Sequence, residues 1–482
     1  MPVPLTRDPQ ALQTGTFDLL VVGGGIYGLT VACDAAQRGL RVALVERHDF
    51  GSGTSFNHLR TIHGGLRYLQ TLDLPRARES VRERRTLARI APWAVAPLPF
   101  VLPLYRSLMK GTTAMRAGFL LDALVAWDKN AGVPPAHQLP LGQVLSRAEA
   151  HARYPPLRPL PITGAAVWSD YVTTDADRLT LAWALEASAH GATLANYVGV
   201  TRLSLDGAVL EASATDGVTG APLRIRATTV VNATGGSLNH LLEPFGAQVK
   251  LPLLQAVNLV TRLDGPPAAI GGRSASGRNL FLVPWKGRAL FGTWESPATC
   301  SPGDTTISPA HLDSFITELN QAFPAFPLTR DDVTLVHRGV VPARVDSGTP
   351  TLDGRELVFE HAAQGLPRVI SVAGTKYTTA RAVAERIVDR VFALLGRPPA
   401  QCVSAERPLP HVPLTGDALL RHVAASEMVV TLADAVMRRT PLGALGRPSD
   451  DDLSRAAAVV GETLGWSETR RQHERDRLRQ QY

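Results

Sequence analysis

The spacing of apolar and polar positions changes period several times along the chain, and each change marks an element. Residues 18–22 (DLLVV) are a short branched apolar run of the kind buried in a parallel sheet. Gly23, Gly25 and Gly28 follow as G-x-G-x-x-G directly ahead of a helical pattern, in which Ala32, Ala35 and Ala36 keep the helix slim and Gly39 ends it. Residues 41–45 form a second apolar strand that delivers Glu46. Strand, glycine turn, helix, strand and acid arrive in the order of a dinucleotide site, where the acid accepts both ribose hydroxyls and disfavours a 2′-phosphate. That fingerprint alone does not choose NAD over FAD.

Further elements follow from the same reading. Residues 76–92 have a helical stripe of Ala77, Val81, Ala88 and Ala91, and residues 92–103 are broken by prolines. Between 105 and 129, Met115, Phe119, Ala123 and Ala126 share a helical face that Leu120, Leu124 and Trp127 widen, bordered by Arg106, Lys110, Arg116 and Lys129. Taken alone, that stretch reads first as a cap helix with a solvated edge, and second as a basic amphipathic segment for a membrane interface. A helix is predicted over 179–190 and a strand over 192–200; residues 224–235 (RIRATTVVNATG) are a buried strand entering a glycine turn. Residues 253–262, 280–285 and 289–293 read as strands of an antiparallel second sheet. Residues 367–373 are a strand, 374–379 a turn and 380–395 a helix; from about 411 the chain is helix-rich, behind a proline-dense linker around 398–413. The expected class is therefore α/β: a Rossmann-like domain assembled from discontinuous pieces, an inserted antiparallel-sheet substrate domain and a C-terminal helical domain. The late return to the nucleotide domain leans towards flavin. Boundaries are expected at 1–405, with substrate and cap segments about 95–165 and 250–335, and at 406–482.

Composition narrows this only slightly. The 482 residues carry a formal charge of +7, a pI near 9.6 and 45% hydrophobic content, which suits two or three well-packed domains. No zinc spacing, aromatic-spaced basic stripe or helix-turn-helix pattern supports nucleic acid. Cys33, Cys300 and Cys402 are scattered, giving neither a disulfide framework nor a metal site and suiting a reducing compartment. The N-terminus lacks a signal pattern and no eighteen uncharged apolar residues run together, so the expectation is a cytoplasmic protein with room for peripheral contact on the cytoplasmic face of a membrane.

Several words of the sequence are more specific: GGGIYG at 23–28, DAAQRGL at 34–40, IHGGLRYL at 62–69, VNATG at 231–235, VPW at 283–285, AGTKYTTAR at 373–381 and MRRTPLG at 437–443. Together they resemble the FAD-dependent glycerol-3-phosphate dehydrogenase family of the D-amino-acid-oxidase-like flavoproteins, over essentially the whole chain. The resemblance implies that Gly23, Gly25, Gly28 and Glu46 hold the adenosine and pyrophosphate end of a non-covalent FAD. It places Thr54 and Ser55 near the pyrophosphate, Val200 at the adenine, Ala233 and Gly235 along the nucleotide, and Gly374, Thr375, Lys376, Tyr377 and Thr378 over the flavin. His63 takes the flavin-facing histidine position, with Arg67, Tyr68, Arg355 and Lys376 at the substrate; no metal is implied.

The implied chemistry is oxidation of a secondary alcohol, in which the protein orients the C–H, accepts the hydroxyl proton and neutralises substrate charge. Arginine suits a phosphate because its planar fork donates two charge-assisted bonds. One departure bears on the substrate: where the family pattern resembles G-V-R-P, this chain has Gly339, Val340, Val341 and Pro342, and Arg338 and Arg344 fall on the opposite strand face. Phe56, Asn57, His58 and Arg60 also replace small polar residues and a lysine, and Glu295 stands where an aspartate is usual. The leading expectation is oxidation of glycerol 3-phosphate, or a close polyol phosphate, to the ketone. Electrons would pass to a membrane quinone, with lipid contact near 105–129 and room for a homo-oligomer. Val341 favours an alternative, an unphosphorylated hydroxy acid, amine or amino acid; a nucleotide-binding sensor without turnover is the third reading.

Overall fold

The structure is a computed structural model and describes residues 3–69, 71–106, 111–207, 209–275, 277–346 and 348–482. Lys110 lies outside the described residues.

The apolar run at the start becomes the strand Thr16–Val22, which sits in the middle of the first sheet. Across this sheet run Leu357–Glu360, Val369–Ala373, Pro222–Asn232, Thr16–Val22, Val42–Val45 and Thr193–Ala195, all parallel neighbours except the first pair. Val22 pairs with both Val45 and Asn232, so the glycine turn, Glu46 and Ala233 all leave the sheet at one carboxyl edge. Ligands of open α/β sheets bind at that edge. The helices Ile26–Gln37, Ala176–Ala189 and Ala380–Leu394 cover one face, burying Leu29, Cys33, Leu179, Trp183, Val383 and Ile387. The predicted strand over 192–200 is two strands. Tyr197 takes φ +55° between Ala195 and Val198, so the chain leaves the sheet and enters a hairpin of Val198–Asp206 with Val209–Asp216.

The proline-broken stretch is also a strand, Val95–Leu104, paired antiparallel along its whole length with Gly164–Thr173. An antiparallel ladder uses the N–H of every second residue, so Pro97, Pro99 and Pro103, all of one parity, fit on the other edge. That edge meets Ala269–Arg273 only at Phe100 and Val101. The second sheet runs Thr349–Leu352, Val333–Asp346, Leu253–Asp264, Arg288–Glu295, Asn279–Trp285, Ala269–Arg273, Val95–Leu104, Gly164–Thr173 and Thr61–Ile62, with Gln143–Ser146 also paired to Gly164–Thr173. The segments expected for substrate binding thus join in one curved, mostly antiparallel sheet.

At the C-terminus, the helices Gly416–Ser426, Asp450–Leu464 and Glu468–Arg479 pack around Leu432, Val436, Leu453 and Val460. The helix Thr112–Val125 buries Phe119 but leaves Leu120 and Leu124, and Trp127 just beyond it, 71%, 73% and 78% exposed. Met115, Phe119 and Ala126 thus face the protein, as a cap helix requires, while Leu120, Leu124 and Trp127 form a second apolar edge turned outward. Among the described residues no helix is long and apolar enough to cross a membrane.

Candidate active site

The glycine turn is shaped by what would collide with a side chain. Gly23 sits at φ +111°, and a Cβ there would lie 2.5 Å from the Ala233 carbonyl oxygen; one on Gly28 would lie 1.9 Å from that of Gly23. The following helix begins at Gly25 with no side-chain cap, leaving its N-terminus open to an anion. Ile26 N–H donates to Ser55 Oγ at 2.9 Å, which sets the serine against the first turn of that helix. The Glu46 carboxylate accepts from Gly24 N–H (2.7 Å) and His48 N–H (2.8 Å), fixing it at the sheet edge. Val198 N–H donates to the Glu46 carbonyl at 2.7 Å, so Val200, partly buried, lies in the hairpin beside the acid. Gly235, at φ +62°, turns the chain after Ala233. The hydroxyl of Thr54, beside Ser55 in the chain, donates to the Val340 carbonyl at 2.9 Å and joins the loop to the second sheet.

The late AGTKYTT turn touches the early one directly. Tyr27, inside the glycine turn, donates to the Lys376 carbonyl at 3.1 Å, and a Cβ on Gly374 would lie 2.2 Å from the Tyr27 hydroxyl. Thr375 donates to the Asp353 carbonyl (2.9 Å), Tyr377 shares a hydrogen bond with Thr180 (2.9 Å), and Thr378 is buried. His58 stacks on the Tyr377 ring with centroids 4.9 Å apart. Its Nδ1 accepts from Arg60 N–H at 3.1 Å, which puts the proton on Nε2, and burial holds the ring neutral. That buried Nε2 has no partner among the described residues, nor do Arg60 Nε and His337 Nδ1 close by. A glycine cradle without Cβ at one end and orphaned hydrogen-bonding nitrogens at the other fit a group with a pyrophosphate and a heteroatom-rich ring. FAD is such a group.

The residues expected at the substrate form a cluster of mixed charge, in which Arg76 pairs with Asp73 at 3.4 Å and Glu79 and Glu356 face Lys376. Lys376 Nζ lies 4.1 Å from the centroid of the Tyr68 ring and donates to Ser80 Oγ at 3.0 Å, while the Arg76 guanidinium stands 5.3 Å from the same ring centroid. Burial and the neighbouring Arg76 charge bring the Lys376 pKa down to about 8, with Arg67 adding to the same effect. Arg67 is exposed and open to solvent. Arg355 is committed to a two-bond pair with Asp353 (3.0 and 2.8 Å), and its neighbour Gly354 approaches the Tyr68 hydroxyl.

His63 carries a feature that local sequence did not signal. Its Nδ1 meets Asp170 Oδ2 at 3.3 Å, its Nε2 meets Thr61 Oγ1 at 2.9 Å, and its side chain is 45% exposed. Asp170 also accepts from Gly64 N–H (2.7 Å), Trp168 Nε1 (3.1 Å) and Arg84. Burial opposes its charge, but Arg84 and His63 prevail and bring its pKa down to about 2. Asp170, Arg84, Ser80, Arg76 and Tyr27 join the candidate set only through the fold.

Val341 points into a small apolar cluster with Leu254, Ala256 and Ala343, against which Leu352 packs, while Arg338 and Arg344 are exposed. The Glu295 carboxylate accepts from Leu352 N–H at 3.2 Å.

Comparison with known proteins bears on the family and the fold. A family model described as FAD dependent oxidoreductase matches residues 18–390. A glycerol-3-phosphate dehydrogenase of Synechocystis sp. is 31% identical, covering 84% of this chain and 75% of that protein. A probable mitochondrial glycerol-3-phosphate dehydrogenase of Caenorhabditis elegans is 34% identical over 79% of this chain, which spans only 53% of its length. The crystal structure of the glycerol-3-phosphate dehydrogenase from Bacillus halodurans complexed with FAD superposes with a TM-score of 0.74 at 23% identity, covering 98% of this chain and 96% of that one.

Proposed function

This chain belongs to the FAD-dependent oxidoreductases, in the glycerol-3-phosphate dehydrogenase-like family, and from that premise we propose that it oxidises glycerol 3-phosphate to dihydroxyacetone phosphate. The observation that carries the reading is the meeting of three sequence-distant words. Tyr27 of the glycine turn contacts Lys376 of the late turn, and Lys376 in turn lies over Tyr68 of HGGLRYL. FAD, when bound, supplies the two-electron acceptor. The residues do the rest. Lys376, Arg67 and Arg76 supply positive charge where a phosphate has to be neutralised. His63, its Nδ1–H held by Asp170, keeps its lone pair on Nε2, where the substrate alcohol takes the place of the Thr61 hydroxyl now bonded there at 2.9 Å and gives up its proton, and Asp170 offsets the imidazolium that results. Anaerobic titration with glycerol 3-phosphate tests this: bleaching of the bound flavin is expected, and a spectrum unchanged at millimolar substrate refutes it.

The electron acceptor in this reading is a membrane quinone, reached by laying Leu120, Leu124 and Trp127 in the lipid interface with the exposed Arg106 and Arg116 beside them. The helix that bears this face buries Phe119 in a cluster with Leu104 and Ala166, against which Leu66 of the HGGLRYL segment also packs. Val341 supports a second reading, an unphosphorylated hydroxy acid, amine or amino acid, because its wall of Leu254, Ala256 and Ala343 offers no charge to an anion. Bleaching by such a compound and not by glycerol 3-phosphate decides for it.

A further inference from the structure

Two residues of the early loop leave the nucleotide domain and are held by the C-terminal helices. Asp49, three residues beyond Glu46, is 1% exposed. Its carboxylate accepts from Arg438 Nε (2.6 Å), Arg439 Nη1 and Nη2 (2.5 and 2.7 Å) and Asn196 Nδ2 (2.9 Å). Burial opposes the charge, but Arg439 and Arg438 outweigh it and hold the carboxyl well below the usual range. Arg438 Nη2 continues to Asp434 Oδ1 at 2.6 Å, which also accepts from the Tyr197 hydroxyl at 2.7 Å, so two guanidinium groups face two carboxylates. At the other end of the loop Phe56, 6% exposed, sits in the C-terminal core with Leu432 and Val436.

Between these anchors lie the loop's contacts with the nucleotide turn. Gly51 N–H donates to the Gly24 carbonyl at 2.8 Å, the Phe50 ring closes over Gly24, and Ser55 meets Ile26 N–H. We infer that the C-terminal helical region is a working part of the cofactor site. Its grip on Asp49 and Phe56 holds residues 46–56 in the conformation that presents Glu46 and Ser55, so FAD binding and docking of this region are coupled. Asp49, Phe56, Arg438 and Arg439 act as positioning residues, through the loop. Coupling of this kind is reciprocal: a weakened grip lowers affinity for FAD, and FAD tightens the grip by the same factor.

The inference rests on the cofactor and is independent of the substrate. Its test uses full-length apoprotein, with two readouts: FAD affinity from flavin fluorescence, and the rate of proteinase K cleavage in the linker 398–413 with and without FAD. In the native protein FAD should slow linker cleavage. Asp49→Asn and Phe56→Ser should each weaken FAD by at least about tenfold and lose that protection, since couplings typically amount to 5–150-fold. Leu319→Ala, a core truncation at 1% exposure in the helix Pro309–Ala322 that packs on the second sheet, serves as the control for general loosening and should leave FAD affinity within about twofold. If Asp49→Asn does not fold, Phe56→Ser and Arg438→Lys carry the test. The proposal is overturned if the folded variants bind FAD within twofold of the native protein, if FAD leaves linker cleavage unchanged, or if Leu319→Ala weakens FAD equally. Native protein that takes up no FAD at all would instead refute the cofactor assignment.

Discussion

Replacing Asp170 by asparagine tests the proton-transfer reasoning most sharply, because the structure dictates how the amide must sit. The two carboxylate oxygens serve four donors: Oδ1 takes Gly64 N–H and Arg84, and Oδ2 takes His63 Nδ1 and Trp168 Nε1. An amide has one acceptor oxygen, and the charged Arg84 donor claims it. The NH2 group then faces His63 Nδ1, which has to accept, and the imidazole proton moves to Nε2, the atom that should receive the alcohol proton. Flavin reduction is expected to slow by about 10²–10⁴-fold, the usual worth of a positioned general base. The fold also weakens. Arg84 and His63 hold the Asp170 pKa down to about 2, below an ordinary carboxyl, and losing that preference for the charged form costs on the order of 2 kcal/mol of stability. A depressed acid stabilises above its unfolded pKa and loses the effect as pH falls through about 2, so the variant should lack that acid-side transition. Stopped-flow reduction of bound FAD under anaerobic conditions measures the rate, with FAD content as the occupancy check. His63→Gln should lose as much, and the double variant little more. An Asp170→Asn enzyme that holds its FAD and is reduced within threefold of the native rate would show that His63 is not the base.

Other outcomes follow from single contacts. Lys376 gives up its charge as pH rises through about 8, so KM for a phosphate substrate should climb above pH 8, and Lys376→Met should have a high KM at every pH. Burial penalises the charged lysine only below that pH, so its contribution to stability improves between 8 and 10.5; a rising KM in that window is not unfolding. Val341→Arg places a guanidinium in the wall with Ala256 and should raise kcat/KM for glycerol 3-phosphate relative to an unphosphorylated polyol by about tenfold or more, read from steady-state kinetics with a dye acceptor. Flotation with anionic liposomes should carry the native protein upward, and the triple variant Leu120→Ser, Leu124→Ser, Trp127→Ser should remain below. Each large apolar side chain is worth about 1.5–3 kcal/mol on leaving water.

The order of strand, glycine turn, helix, strand and acid was legible in the sequence because each step is local: branched runs, the absence of Cβ at Gly23 and Gly28, and a helix ended by Gly39. Strong periodicity likewise revealed the late helix after AGTKYTT and the helical C-terminus. The strand through Pro97, Pro99 and Pro103 was hidden, because proline disfavours a strand until one knows which edge lacks a partner. The break at Tyr197 was hidden too, since a positive φ at a tyrosine is imposed by surroundings and not by local preference.

For the site, the words GGGIYG, HGGLRYL and AGTKYTT named the groups that chemistry requires, and residue type alone made Arg67 and Lys376 candidates for an anion. Distance in the chain concealed everything that sets how those groups behave. Asp170 stands 107 positions from the histidine it orients, Tyr27 lies 349 from Lys376, and Asp49 lies 390 from Arg439. Burial and opposing charge arise only when such distant segments pack, and they decide which carboxylate stays ionised, which nitrogen carries a proton and which loop is held still.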